Sequence, residues 1–195
     1  IPMFQALLVK LAAALDKASI PYMVIGGQAV LLYGEPRLTR DIDITLGHDV
    51  DALKNVLKAL EGSGLNAATS DIERFASETH VLPLVEKATG IRVDLIFSFS
   101  EYEREALRRA ISVPLQGGLV RFVSVEDLII HKVVAGRPRD LDDIRGILAR
   151  MPDMDESYFK KWLRSFGKTL DRDLTGEFRQ IRAAAVTPPP RDRTL

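Results

Sequence analysis

The sequence predicts an α/β (α+β) fold: a small mixed sheet flanked by helices, with a C-terminal helical part. Three observations lead there. Short apolar runs interleave with helix-spaced patterns as far as Val123. From Ser124 onward the apolar spacing is helical alone. And one short run carries two carboxylates, Asp41 and Asp43, at i and i+2, just after a Gly26-Gly27 corner.

The elements follow in order. Residues 3–18 set Phe4, Leu7, Leu8, Leu11, Ala12 and Leu15 at helical spacing, an amphipathic helix packing on the core. Tyr22 to Ile25 is the first strand, with Gly26-Gly27 at its exit. Gln28 to Tyr33 is a short helix stopped by Gly34, Glu35 to Arg40 a basic connector, and Asp41 to Leu46 the second strand. Asp49 to Leu60 is a second amphipathic helix, closed by Gly62 and Gly64. Residues 65–80 are polar and predict no element. Val81–Val85 and Ile91–Phe97 flank Lys87-Ala88-Thr89-Gly90 as a hairpin, and Pro83 marks its first arm as an edge strand.

Ser100 to Ala110 is a charged helix, and Ser112–Leu115 with Leu119–Val123 form another hairpin around Gln116-Gly117-Gly118. Ser124-Val125-Glu126-Asp127 reads as a capping box opening a helix that runs to Ala135 and stops at Gly136. A helix with Leu141, Ile144, Ile147 and Leu148 follows Arg137-Pro138, and two more are expected near 155–166 and 173–185. Trp162, Phe159 and Phe166 fall at helical spacing and are expected in the core; His48, His80 and His131 have no ligand spacing and read as structural. The expected organisation is a core over residues 1–123, a helical part over 124–187 and a disordered tail over 188–195, where three prolines and alternating charges offer nothing to bury.

Composition excludes several classes. The 195 residues carry no cysteine, so disulfides and thiolate zinc sites are ruled out and a reducing cytoplasm is the natural setting. No apolar stretch approaches the roughly 18 residues that span a membrane, and no signal peptide is recognisable. The chain opens Ile1-Pro2-Met3, which leaves its natural start open. Basic and acidic residues balance at 27 each, so nothing global demands a polyanion. The balance tilts along the chain, from 12 basic and 15 acidic in residues 1–120 to 15 and 12 in residues 121–195. A nucleic-acid surface, if present, is expected on the C-terminal part.

The chemistry centres on Asp41 and Asp43. In a strand, i and i+2 share a face, while Ile42 and Ile44 turn to the other side and pack. Two neighbouring acids repel, so folding alone gains nothing from them. A divalent ion with a polyphosphate does, since Mg²⁺ is held by one or two carboxylates plus substrate phosphates. Gly26 and Gly27 allow close backbone approach, and the amides that follow open a helix whose N-terminus favours an anion. Asp94 interrupts the apolar run Ile91-Arg92-Val93-Asp94-Leu95-Ile96-Phe97, where an unpaired carboxylate is costly. Gly-Gly at the start of a short helix, Asp-x-Asp on the next strand and a third Asp on a later strand together resemble the nucleotidyltransferase superfamily, which includes DNA polymerase beta, CCA-adding enzymes and aminoglycoside nucleotidyltransferases.

A second cluster lies in residues 124–148: Lys132 on the helix after the capping box, Arg137 and Arg139 in the break, and Asp140, Asp142 and Asp143 opening the next helix. It resembles the pattern of abortive-infection (AbiEii-like) nucleotidyltransferase toxins and related bacterial families. The resemblance spans roughly residues 20–150. It implies a nucleotidyltransferase-like core in which Asp41, Asp43 and Asp94 hold two Mg²⁺ ions, roughly 3.5–4 Å apart. It implies nucleotide contacts from Gly26, Gly27, Gln28, Arg40, Lys132 and Arg137, with Asp140 or Asp143 orienting Lys132 or acting in catalysis. The implied partners are an NTP, a transfer-RNA end or protein acceptor, and a cognate antitoxin.

Plainer readings stand beside these. Asp41 and Asp43 also fit a solvated strand edge, and Asp94 a salt bridge to Arg92 or Arg40. Gly26-Gly27 also fits a plain turn, and Lys132 a solvated helix face. The acids at 140, 142 and 143 also suit a helix start. Arg37 and Arg40 also serve to balance acids, and Lys160, Lys161 and Arg164 form either a wet face or an RNA contact. The function expected is Mg²⁺-dependent transfer of an NMP from an NTP to an acceptor hydroxyl, on RNA or protein, as the toxin of a toxin–antitoxin pair. The alternatives are a small-molecule, aminoglycoside-type enzyme and an inactive nucleotide-binding module.

Overall fold

The structure, a computed structural model, describes residues 2–98, 100–151 and 153–186; the expected disordered tail lies outside the described residues. The chain divides into two compact units. One joins Ile1–Ala29 to Arg37–Ser124, and the other joins Val30–Pro36 to the chain from Val125 onward.

The first unit is built on a seven-stranded mixed sheet among the described residues. Its strands are β1 (Tyr22–Ile25), β2 (Asp41–Leu46), β3 (Leu65–Ala67), β4 (Val81–Glu86), β5 (Arg92–Phe97), β6 (Ile111–Leu115) and β7 (Gly118–Phe122). They lie in the order β3-β4-β5-β2-β1-β7-β6. Two pairings are parallel, β2 with β5 and β1 with β7. The other four are antiparallel.

The register explains the core. Ile42, Ile44 and Leu46 of β2 stand opposite Val93, Leu95 and Phe97 of β5, and all six are buried. Leu82 and Leu84 of β4 extend this apolar face on one side, Tyr22 and Val24 of β1 on the other. Helix α1 (Pro2–Lys17) packs on β7 and buries Leu7, Leu8, Leu11 and Leu15. Fully burying one such side chain is worth about 1.5–3 kcal/mol. Arg121 donates its backbone N–H to the Tyr22 hydroxyl at 3.2 Å; burial and this contact act oppositely on the phenol, and burial, the larger effect, raises its pKa.

The expected helix at Asp49–Leu60 divides into a 3₁₀ turn, Val50–Ala52, capped by Asp49, and α3 (Leu53–Ala59). Residues 65–80, for which the sequence predicted no element, hold β3 and α4 (Ile72–Thr79). Asp71 caps α4 by accepting the Arg74 N–H at 3.2 Å. The charged helix appears as α5 (Glu101–Arg109), opened by a reciprocal Ser100/Glu103 capping box.

One expectation is corrected. Pro83 does not mark an edge: β4 lies between β3 and β5. The Pro83 carbonyl accepts the Ala68 N–H, so the proline nitrogen faces the same way, past the end of the three-residue β3. The missing N–H is not needed toward β5.

Helix α2 (Gly26–Tyr33) spans the boundary between the units. The second unit contains α6 (Val125–Ala135), α7 (Pro138–Arg150), α8 (Glu156–Leu170) and α9 (Leu174–Val186). Helix α6 packs against α7, α8 and α9, and α9 also against α7 and α8. Leu128, Ile129, Ile130, Val133, Ile144, Ile147, Phe159, Leu163 and Leu174 fill this core. Asp127, within the predicted capping box, is fully buried and accepts a 2.7 Å bond from the Tyr158 hydroxyl.

Candidate active site

The carboxylates of the first unit are set by strand register. Asp43 of β2 pairs with Asp94 of β5, and Asp41 pairs with Arg92. Residues paired across a parallel ladder point to the same face, so Asp41, Asp43 and Asp94 all project opposite the face that carries Ile42, Ile44, Val93 and Leu95. The alternation of apolar and acidic residues therefore places core and acids by one rule. Asp94 is partly buried, which pushes its carboxyl pKa up; Arg92 at 4.0 Å opposes that shift and the charge of Asp41 adds to it.

The diglycine corner stands against this row. Ile25, the last residue of β1, pairs with Asp43. Gly26 then takes φ +63°, a left-handed conformation that favours glycine. A Cβ there would collide with Oδ2 of Asp43 and lie 3.0 Å from its Cγ. Gly27 is equally confined, since a Cβ would collide with the Thr39 hydroxyl and stand 3.6 Å from Nη1 of Arg37. Thr39 in turn donates to Oδ1 of Asp41 at 3.2 Å. Gln28 is buried and donates from Nε2 to the Asp41 carbonyl at 3.4 Å. Arg40 is exposed on the connector.

Gly26, Gly27, Gln28, Asp41, Asp43 and Asp94 thus come together in one unit. Three carboxylates are hard oxygen donors of the kind Mg²⁺ takes, and the space beside Asp43 exists only because residue 26 has no Cβ. The donor set fits the metal. Among the described residues, no three acidic or histidine side chains are drawn close enough to ligate one ion as they stand.

The other predicted residues belong to the second unit. Lys132 is buried. Its ammonium lies 2.6 Å from Oδ2 of Asp143 and 3.0 Å from Oδ1 of Asp140. Asp140 also accepts the backbone N–H of Arg137 at 3.3 Å, which ties the cluster to the start of α7; the Arg137 side chain is exposed. The solvated reading of Lys132 is overturned. Helix α6 carries Ile129, Ile130 and Val133 around the lysine, and a buried ammonium is tolerated only when paired. That apolar surround was the available signal for burial. Thr39 had no such signal, because its role depends on where the connector brings it.

Comparison with known proteins bears on the fold and the family. Two solved structures share the fold. An antigenic nucleotidyltransferase-like protein from Paracoccidioides brasiliensis aligns with a TM-score of 0.56 at 16% identity, covering 92% of each chain. The antibiotic-resistance factor ANT(2'')-Ia aligns with a TM-score of 0.52 at 18% identity, covering 94% of this chain and 91% of that one. No curated protein sequence matches. The model of a family described as "nucleotidyltransferase of unknown function (DUF6036)" matches residues 3–156. The chain therefore belongs to this nucleotidyltransferase family, and it is an enzyme of the nucleotidyl-transferring class.

Proposed function

We propose that the protein transfers an NMP from an NTP to a hydroxyl of RNA, with Asp41, Asp43 and Asp94 holding divalent magnesium. The observation that carries this reading is the β2/β5 register, which sets Asp94 beside Asp43 on the face that Asp41 shares. A pair of Mg²⁺ ions, when bound, supplies positive charge to the reacting phosphate and lowers the pKa of a coordinated hydroxyl. The chain's own groups do the rest. Gly26 and Gly27 let the backbone approach the triphosphate, and the amides opening α2 face its negative charge. Thr39 and Gln28 anchor Asp41 through its side chain and carbonyl, so the carboxylate is positioned before substrate arrives. Arg40 and Arg37, on the connector, supply cations for the phosphates, and Asp94 is assigned as the base that takes a proton from the acceptor.

Lys132 serves as the buried counter-ion of Asp140 and Asp143, and the exposed Arg137 is assigned to the nucleotide phosphates. The cellular setting proposed is the cytoplasm, with transfer to a tRNA 3′ end or to protein as a toxin held by an antitoxin. A small hydroxylated acceptor is the second reading. It draws on the fold shared with ANT(2'')-Ia.

The test is to incubate the protein with each labelled NTP, Mg²⁺, total RNA and an aminoglycoside. Label in RNA, lost in Asp41→Ala, supports the proposal. Label confined to an aminoglycoside supports the second reading. No transfer and no pyrophosphate from either protein refutes both.

A further inference from the structure

The second unit carries a groove whose chemistry bears on the acceptor. Two contiguous cavities, about 390 and 360 Å³, run between α8 and α9 and share Leu163 and Thr175 as lining. The floor is apolar: Phe159 and Phe178 stack with ring centres 4.8 Å apart, beside Leu163 and Leu174. The walls are cationic, with six basic side chains against three acidic ones. This excess is local, because the whole chain is neutral.

The spacing on α8 is ordered. Lys160, Arg164 and Lys168 fall at i, i+4 and i+8, on one face of the helix. They span roughly 12 Å along its axis at about 1.5 Å per residue. That is about the rise of three to four nucleotides in a stacked strand. Arg179 of α9 lines the first cavity with Lys160, and Arg164 and Lys168 line the second. Glu156 already engages two of the cations, Arg182 at 2.6 Å and Lys160 at 3.5 Å. Arg172 is held by Glu177 at 2.6 Å. Among the described residues no ion pair or hydrogen bond engages the side chains of Arg164, Lys168 and Arg179, although three acids line the same walls.

We infer that this α8–α9 groove binds the phosphodiester backbone of the RNA acceptor. The inference rests on the RNA reading above and narrows it. Charge complementarity selects the occupant: a row of unengaged guanidinium and ammonium groups suits a strand with regular phosphates. An aminoglycoside is a polycation, and the same row would repel it. An acidic protein segment would carry the same sign of charge as RNA, and the experiment separates the two.

Fluorescence anisotropy of a short labelled single-stranded RNA is followed against salt for the full chain and for the triple variant Arg164→Gln, Lys168→Gln, Arg179→Gln. All three residues are exposed, so the fold is expected to survive, and thermal melting checks this. The wild type should bind, with affinity falling as salt rises. The variant should bind at least about tenfold more weakly. Its salt slope should shrink by about 2, at about 0.7 for each phosphate the variant no longer neutralises. Equal binding by a folded variant, no RNA binding by the wild type, or polyglutamate binding as tightly as RNA each overturns the inference. Asp43→Asn separates it from the reading beneath it. Asp43→Asn should still bind RNA while losing transfer; a wild type that binds RNA in the groove without label transfer leaves the groove and removes the function. Transfer to RNA that the triple variant performs as well as wild type does the reverse.

Discussion

Two acidic clusters in this chain look alike in sequence and differ in physics. In the first unit Asp41, Asp43 and Asp94 share one face of adjacent parallel strands, where Arg92 meets Asp94 only at the 4.0 Å limit of an ion pair. In the second, Asp140 and Asp143 close on the buried ammonium of Lys132 at 3.0 and 2.6 Å. The first set gathers three carboxylates on one partly open face. The second brings its own counter-charge and is complete within the fold. The difference teaches that an acidic motif takes its meaning from its setting: strand register gathers the first set on one face, while a buried lysine closes the second.

The largest effect should come from the open set. Asp43→Asn removes one carboxylate without changing side-chain size and should lower transfer by about 10²–10³-fold or more, equivalent to about 3–4 kcal/mol of barrier. Circular dichroism should show the fold intact, and pyrophosphate release measures the loss. The closed set should behave in the opposite way. Lys132→Met leaves the buried Asp143 and the half-buried Asp140 without their cation, at a stability cost of about 3–5 kcal/mol. Urea denaturation reads it. A melt unchanged from wild type would mean that the cluster is not the closed unit described here.

Gly26→Ala comes next. The φ of +63° and the contact with Asp43 both oppose a side chain, and the backbone strain alone costs about 1–3 kcal/mol. The same change should impair transfer, since Asp43 must shift. Asp94 gives the smallest effect on stability. Its pKa is raised on folding, so the folded state holds its proton longer than the unfolded chain. Stability is therefore lost as pH rises from the ordinary carboxylate value of 3.8 through the raised one. Asp94→Asn should remove that loss and raise Tm at neutral pH without metal, while abolishing transfer. A variant that melts lower would show that Arg92 outweighs burial.

Much of this contrast could be read from local sequence. Tyr22–Ile25 and Asp41–Leu46 were legible because apolar runs end at glycine or alternate with acids, and Asp94 because a carboxylate breaks an apolar strand. Other parts depend on distant partners. Strand β3 exposes Asn66 and Ala67, and α4 buries only Ala76, so neither shows a periodic apolar face. Pro83 was misplaced because its tolerance comes from where β3 ends, information held some sixteen residues earlier. The roles of Thr39 and of the α8–α9 groove likewise arise only when separate elements fold together.

The central claim is that Asp41, Asp43 and Asp94 form the metal seat. Titration with Mn²⁺ in the presence of a non-hydrolysable NTP, followed by electron paramagnetic resonance, tests it directly. The account predicts saturable, nucleotide-dependent binding by the wild type that Asp43→Asn loses and Asp142→Asn, on the exposed face of α7, retains. Equal Mn²⁺ binding by wild type and Asp43→Asn would contradict it.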